Sequence, residues 1–395
     1  MISERRGFVE CREHNGLRLS RIGVGTYSLS GVYGSKDLEE YGRMIKRACE
    51  LGVNFFDTAD AYGEAEEVLG RLLQPLRGKV IISTKVGVKH QTKANLSYEY
   101  IKTACESSLR NLRTEYIDIY NVHFDDSATP VEETIGALEE LVKAGKIRKY
   151  GLGHLPAAKV EEYINKGNVY SVLMELSAVA RKAGRELLPL VKRNNLAGIA
   201  FSVTGRGLLT GKITKNSRFA AGDLRRIDPQ FQKEKFTFSL EVQQKLAEIG
   251  KRRGMSSVQV AIAWVLAQDG IVTALTGPST VAHLEENIGG CRQSLSPAEL
   301  AEIDRFLEEK EEWLAAAEKR TVRQILSGAL PADNHQAFVD LVYCLETALI
   351  NRYLPEAEIM PVFHRLFGLR TKLDQIQKGE LRELQKTIGA MLQMD

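Results

Sequence analysis

The sequence predicts an α/β protein whose main part is a (β/α)8 TIM barrel, followed by an all-α C-terminal extension. Short runs rich in Val and Ile alternate with longer amphipathic segments between residues 20 and 290, as in parallel strands covered on both faces. This alternation fits either a closed barrel or a doubly wound sheet. Residues 6–20 are typical of a hairpin with an Asn15-Gly16 turn, which favours the barrel because an open sheet has no end to close.

Eight short apolar runs are predicted to form the barrel strands. They lie at 22–25, 53–56, 80–84, 117–122, 147–152, 171–176, 198–201 and 271–275. Helical spacing of apolar residues is clear in four of the intervening segments, 37–51, 99–112, 131–143 and 156–166. Gly52 and Gly145 follow two of these segments, where a glycine commonly ends a helix. The connection at 202–270 is long, and such loops at the carboxyl end of a barrel often form a ligand site.

The strand pattern and the motifs described below end near residue 307. We therefore predict a barrel with its N-terminal hairpin at 1–307 and a helical extension at 308–395. The extension has helical patterns at 308–320, 335–350 and 371–392. Each amphipathic helix must bury one face, so the extension is a lid over the barrel mouth, an interface for a homo-oligomer, or a partner-binding module.

The composition excludes several classes of protein. The chain is 44% hydrophobic and 27% charged, which is ordinary for a globular protein. Its 54 basic and 51 acidic residues nearly balance, so neither nucleic acid nor an anionic membrane is expected as a partner. No apolar run approaches the roughly 18 residues that span a bilayer. The five cysteines lack metal-binding spacing, so we expect no metal site, reduced thiols and a cytoplasmic location.

Four chemistry-bearing residues fall at or just after the ends of three consecutive predicted strands. Asp57 and Tyr62 follow the second strand, Lys85 the third and His123 the fourth. Strand ends on one face of a barrel converge, so these side chains are predicted to meet. A tyrosine can exchange a proton with a carbonyl or alcohol, and a nearby ammonium group lowers its high pKa. The aspartate would neutralise and orient the lysine, and the histidine would donate a hydrogen bond to the carbonyl oxygen.

Each of these residues has a common structural interpretation when it is taken alone, as a turn, surface, core or rim residue. Four matching types at successive strand ends favour an active site instead. The glycine pairs beginning at Gly23, Gly151 and Gly205 do not continue as a full G-x-G-x-x-G. They therefore give little support for a Rossmann domain.

Several motifs resemble those of the aldo-keto reductases and occur in that family's order. They lie at 19–26, 55–63, 83–85, 118–123, 205–212, 222–231 and 277–287. The resemblance covers roughly residues 16–307 and implies a (β/α)8 barrel that binds an extended nicotinamide cofactor. It implies that Tyr62 is the general acid/base, that Lys85 and Asp57 tune it, and that His123 orients the carbonyl.

The resemblance also implies a set of cofactor-binding residues. The loop at 202–231 and the segment 277–287 would hold the pyrophosphate and the adenosine phosphate, the latter at a helix N-terminus. NADP is favoured over NAD because Arg225 or Lys212 can meet a 2′-phosphate. The implied residues are Gly25, Thr26, Asp57, His154, Ser202, Gly207, Leu208, Gly211, Lys212, Arg225, Gly277, Ser279, His283, Glu286 and Asn287.

The implied nicotinamide pocket departs from the usual family pattern. Many members carry Ser-Asn after the fifth strand, a Gln on the sixth, a stacking aromatic residue after it and Pro-Leu after the seventh. After the fifth strand this chain has Gly153-His154, which is closer to galactose-dehydrogenase-like members. Met174 stands in place of the Gln, Ser177 in place of the aromatic residue, and Val203-Thr204 in place of Pro-Leu. His283 replaces an Arg or Gln that many members place near the adenosine phosphate.

Three functions compete at this point. The complete set of four residues favours an NAD(P)-dependent oxidoreductase that reduces an aldehyde or ketone, or oxidises the corresponding alcohol or sugar, by hydride transfer. Its expected partner is a small carbonyl or alcohol substrate. The altered nicotinamide contacts and the extension suggest a cofactor-sensing regulatory protein with the helical tail as its partner module. A lyase or isomerase that uses the Tyr/His pair is the third interpretation.

Overall fold

The computed structural model describes residues 8–88, 94–126, 128–220, 222–351, 353–354, 356–370 and 375–392. The chain divides into two compact units. The first comprises Met1–Ile213 and Gln243–Leu300, and the second comprises Thr214–Val242 and Ala301–Asp395. The prediction had one boundary, after residue 307. In the structure, part of the connection between the last two barrel strands belongs to the unit of the C-terminal helices instead.

A two-stranded antiparallel hairpin precedes the barrel in the first unit. Strand β1 (Cys11–His14) pairs with β2 (Leu17–Ser20). Asn15 and Gly16 form the turn with φ angles of 43° and 88°, which these two residue types adopt readily. The predicted hairpin is thus present, although residues 6 and 7 of its predicted range lie outside the described residues.

Parallel strands close into the predicted barrel, each pairing with its neighbour in chain order and the last with the first. The prediction of eight barrel strands is confirmed, with small shifts at their ends. The strands are β3 (Ile22–Gly25), β4 (Phe55–Asp57), β5 (Ile81–Val86), β6 (Ile117–Val122), β7 (Ile147–Leu152), β8 (Ser171–Glu175), β9 (Ala197–Phe201) and β10 (Ile271–Thr276).

The N-terminal end of the barrel is filled by apolar side chains. Leu17 and Leu19 of the hairpin pack in one buried cluster with Phe55, Ile81 and Ile119. The last three lie near the starts of their strands, so the hairpin covers this end. The opposite, carboxyl end remains for the loops that follow the strands.

Helices cover the barrel strands, and their ends are capped as the local sequence dictates. Asp37 accepts hydrogen bonds from the backbone N–H groups of Glu39 and Glu40, and Gln259 accepts one from the backbone N–H of Ser256. The four predicted helices correspond to α1, α3, α4 and α5 of the following set. The helices are α1 (Leu38–Glu50), α2 (Ala65–Leu73), α3 (Tyr98–Asn111), α4 (Val131–Lys143), α5 (Ala157–Lys166), α6 (Lys182–Arg193), α8 (Ser257–Leu266) and α9 (Val281–Gly289); α7 (Lys233–Arg253) begins within the second unit, to which residues 233–242 belong.

The second unit has a hydrophobic core of its own, formed by the C-terminal helices and residues near the start of the unit. Ile227 is buried in the same cluster as Phe338, Leu341, Val342 and Leu345. This shared core explains why residues 214–242 belong with the tail. The helices are α10 (Pro297–Ser327), α11 (Asn334–Ile350), α12 (Glu356–Gly368) and α13 (Lys378–Leu392).

The helical extension is confirmed, with differences in detail. Helix α12 was not predicted, and it contains Pro361, which interrupts the apolar pattern of helices. The predicted helix at 371–392 begins at Lys378, and residues 371–374 lie outside the described residues. Within the described ranges, none of the helices is long and apolar enough to cross a membrane.

Candidate active site

The structure brings the four predicted catalytic residues together at the carboxyl ends of three neighbouring strands. Asp57 is the last residue of β4, Lys85 lies next to the end of β5, and His123 directly follows β6. Tyr62 lies on the loop after β4, with its ring centroid 5.0 Å from Lys85 Nζ and 5.8 Å from that of His123. The predicted convergence of these side chains is therefore what the fold produces.

Lys85 and Asp57 form a buried ion pair. Lys85 Nζ donates to Asp57 Oδ1 at 2.5 Å and to the carbonyl oxygen of Thr58 at 2.7 Å. Their side chains are only 3% and 6% exposed, so each charge depends on the other for compensation. The pair holds the ammonium group beside the Tyr62 ring.

The surroundings of His123 favour the neutral form of its imidazole. Its side chain is buried, and burial together with the charge of Lys85 lowers its pKa well below the usual value. Its Nδ1 atom has no hydrogen-bond partner within the described chain. A neutral imidazole keeps one N–H donor for a substrate oxygen.

The pKa of Tyr62 is raised well above its usual value, chiefly by burial and further by the negative charge of Asp57. The sequence-based expectation was a pKa lowered by Lys85. The net shift is in the opposite direction, because burial and the charge of Asp57 outweigh the ammonium group of Lys85. Tyr62 is therefore a protonated acid at neutral pH.

Aromatic rings surround these groups, and three of them, Tyr27, Phe124 and Phe201, were not predicted as site residues. Tyr27 lies 4.9 Å from Tyr62 between ring centroids, and Phe124 lies 4.6 Å from His123. His154 stacks on Phe124 at 4.7 Å and contacts Phe201 at 4.8 Å. The available signal was adjacency in the chain, since Phe124 directly follows His123 and Tyr27 directly follows Thr26.

Several residues implied to bind cofactor lie at the ends of other barrel strands. Gly25 ends β3, and the buried Thr26 next to it has a hydroxyl with no hydrogen-bond partner in the described residues. His154 follows β7 and Ser202 follows β9, and both have a left-handed backbone, with φ of 41° and 54°. Such strain in a residue other than glycine is typical of functional loops.

The turn after β9 carries four more of these residues. Gly207 and Gly211 have φ angles of 97° and 75°, which favour glycine. Leu208 between them is fully buried. Lys212 Nζ lies 3.6 Å from Glu286 of helix α9, so these two predicted residues meet.

The remaining residues of this set in the first unit lie within α9 or just before it. A side chain at Gly277 would meet nothing within 4 Å, and Ser279 precedes the helix. Thr280 caps α9, because its side chain accepts a hydrogen bond from the backbone N–H of His283. The pKa of the His283 imidazole is lowered by burial and by the charge of Lys212. Asn287 lies near the other end of α9 and is buried.

Arg225 lies in the second unit. Its guanidinium group binds both carboxylate oxygens of Asp223 at 2.6–3.2 Å and lies 4.5 Å from the centroid of the Phe219 ring. A cofactor role for Arg225 therefore still depends on the resemblance alone.

Two of the departures from the family pattern are buried in the first unit. Met174 lies within β8 opposite Ala200. Ser177 Oγ accepts from the backbone N–H of Val179, so this short side chain is used within its own turn. Among the described residues no group of His, Cys, Asp or Glu could hold a metal ion.

The fold is a closed parallel barrel, and a tyrosine, a lysine, an aspartate and a histidine meet at the carboxyl ends of its strands. The family model of the aldo/keto reductase family matches residues 21–308, and the chain belongs to this family. The chain is 33% identical to the aldo-keto reductase YhdN of Bacillus subtilis over 68% of its own length and 84% of the relative. It is 33% identical to the aldo-keto reductase yakc [NADP(+)] of Schizosaccharomyces pombe over 71% and 86%. The solved glycerol dehydrogenase of Gluconobacter oxydans superposes with a TM-score of 0.69 at 28% identity, over 77% of this chain and 96% of that one.

Proposed function

We propose that this protein reduces an aldehyde or ketone with NADPH, or catalyses the reverse oxidation, with Tyr62 as the general acid/base. The observation that carries this proposal is the buried Lys85–Asp57 pair beside Tyr62 and the neutral His123. Family membership and the relatives' printed activities support it. The comparisons give no support to a cofactor-sensing regulatory protein.

The site fits a nicotinamide cofactor. Thr26 Oγ1 and His123 Nδ1 are buried polar atoms without partners in the described residues, and Gly277 borders open space. We propose that Gly25, Thr26 and His154 hold the nicotinamide end, and that the β9 turn and the start of α9 hold the phosphates. NADP is proposed over NAD because Lys212 and His283 lie near the start of α9 and because a relative's name specifies NADP.

When bound, the reduced cofactor supplies a hydride to the carbonyl carbon. His123 donates its N–H to the carbonyl oxygen, which polarises the bond. As charge develops on that oxygen, Tyr62 transfers its proton to it and becomes a phenolate. The ammonium group of Lys85 stabilises the phenolate, which then regains a proton from solvent. In the oxidation direction the same phenolate removes the alcohol proton.

Tyr62→Phe tests this assignment. It should lower kcat for an aldehyde by about 10²-fold or more, because the acid is lost while the ring remains. Binding of NADPH, measured by fluorescence titration, should change less than about twofold. Tyr170→Phe is the matched control, because the Tyr170 hydroxyl bonds to the carbonyl of His14 in the hairpin. Wild-type turnover by Tyr62→Phe would refute the assignment.

Two further properties are proposed. The five cysteines are free thiols, which supports a cytoplasmic location that cell fractionation would test. A homo-oligomer formed through the helical tail remains a proposal, supported by the amphipathic pattern of the tail helices. Light scattering after size-exclusion chromatography would test it.

A further inference from the structure

We propose that Ser83 and Asn121 are positioning residues for this reaction. They form a chain of hydrogen bonds that holds the Asp57 carboxylate in the orientation that keeps Lys85 beside Tyr62. The inference rests on the proposed role of Tyr62.

The register of the strands brings these side chains together. Asp57 lies opposite Ser83 in the β4–β5 pairing, and Lys85 lies opposite Asn121 in the β5–β6 pairing. Ser83 and Lys85 are two positions apart in one strand, so they share a face of the sheet. All four residues are buried. A polar group in such a place is costly unless it is paired, so the pairing is informative.

The direction of each hydrogen bond follows from the chemistry of the groups. Asn121 Nδ2 lies 2.9 Å from Ser83 Oγ and 3.1 Å from the carbonyl oxygen of Thr84. A carbonyl oxygen only accepts, so the amide nitrogen must face it, and that nitrogen only donates. Ser83 Oγ therefore accepts from Asn121. Its own proton is then directed to Asp57 Oδ2 at 2.8 Å.

Asp57 thus accepts at both oxygens, from Ser83 at Oδ2 and from Lys85 at Oδ1. Hydrogen bonds to both oxygens hold the carboxylate in one orientation. Asp57 in this orientation keeps the ammonium group of Lys85 next to Tyr62. The chain consequently acts on proton transfer by Tyr62 and on no group that binds substrate.

The barrel interior supplies a matched control. Ser171 is as buried as Ser83, and it lies with Asn121 beside Gly151. Its hydroxyl has no hydrogen-bond partner in the part of the chain that the structure describes. Ser171→Ala therefore removes the same atom from the same interior without touching the chain of bonds to Asp57.

The test compares full-length Ser83→Ala, Ser83→Thr, Asn121→Leu and Ser171→Ala with the wild type. We expect Ser83→Ala to lower kcat about tenfold, which corresponds to a rise of about 1.4 kcal/mol in the activation free energy. The KM for the aldehyde and the NADPH dissociation constant should stay within about twofold. Asn121→Leu should lower kcat by less than tenfold. The Ser83 hydroxyl can still donate to Asp57 in this variant, but no donor fixes its direction.

Ser83→Thr should recover most of the lost kcat, because it keeps the hydroxyl, and Ser171→Ala should stay within about twofold of the wild type. Equal kcat in Ser83→Ala and Ser171→Ala would overturn the inference, as would a loss confined to KM. Since Tyr62→Phe tests the acid separately, the proposed function stands if only the serine comparison fails.

Discussion

Lys85→Met separates what the buried ion pair contributes to folding from what it contributes to catalysis. The substitution keeps the length of the side chain and removes its charge. It leaves Asp57 as a buried carboxylate without its cation, since the two side chains are 6% and 3% exposed. Breaking a buried pair in this way costs about 3–5 kcal/mol, so we expect the melting temperature to fall by about 5–15 °C.

The catalytic loss can be worked from the same geometry. Lys85 Nζ lies 5.0 Å from the centroid of the Tyr62 ring. At an effective dielectric constant of about 20, a unit charge at that distance stabilises a phenolate by about 3 kcal/mol. We therefore expect kcat to fall by about 200-fold. Steady-state kinetics with an aldehyde and NADPH would measure this loss, and thermal unfolding would measure stability.

The double variant Asp57→Asn/Lys85→Met distinguishes the two effects. It removes both charges, so it should regain most of the melting temperature while turnover stays low. Lys102→Met is the control, because its pair with Glu140 is 36% and 47% exposed and should change the melting temperature by under about 2 °C. The reasoning is refuted if Lys85→Met is as stable as the double variant, or if the double variant regains turnover.

Three further predictions concern burial. Burial holds the pKa of His123 below its unfolded value, so the protein loses stability as pH falls below about 6.5, where only the unfolded chain binds the proton. His123→Gln should weaken that dependence in denaturation at pH 5 and pH 7. Gly151→Ala should lower the free energy of unfolding by about 1–3 kcal/mol, because two polar side chains fill the space that a Cβ atom would need. Gly78→Ala is the control, since the space beside Gly78 is open and its denaturation curve should not change. Ile227→Ala, in the core of the second unit, should lower the free energy of unfolding by about 2–5 kcal/mol and speed hydrogen exchange in residues 214–242. Ile350→Ala, at a side chain that is 37% exposed, is the control and should change both much less.

The second unit contains a segment, residues 214–242, that the sequence pattern did not separate from the barrel. The strand pattern and motifs stop near residue 307, so a boundary there followed from local pattern alone. The structure instead buries Ile227 with Phe338 and Leu341 of the tail. These residues are more than a hundred positions apart, and no local pattern links them. The segment that carries Arg225 is consequently built on the core of the tail.

The convergence of the candidate site residues was predictable because its signal is local. Asp57, Lys85 and His123 each occur where an apolar strand ends, and parallel strands place their carboxyl ends on one face of a barrel. Ser83 and Asn121 lie in two of the recognised motifs, but nothing local to either strand indicates that their side chains bond to each other and to Asp57. Only the register of β4, β5 and β6 shows that they lie in line with Asp57 and Lys85.

The sequence by itself determined the barrel, the helical extension and the meeting of Asp57, Tyr62, Lys85 and His123, because periodicity and strand-end chemistry are properties of short segments. The tertiary structure decided what surrounds those residues and which charges they carry. The raised pKa of Tyr62 depends on burial and on the Asp57–Lys85 pair, and the neutrality of His123 depends on a closed interior. These are effects of groups far apart in the chain, so they exist only once the barrel has closed.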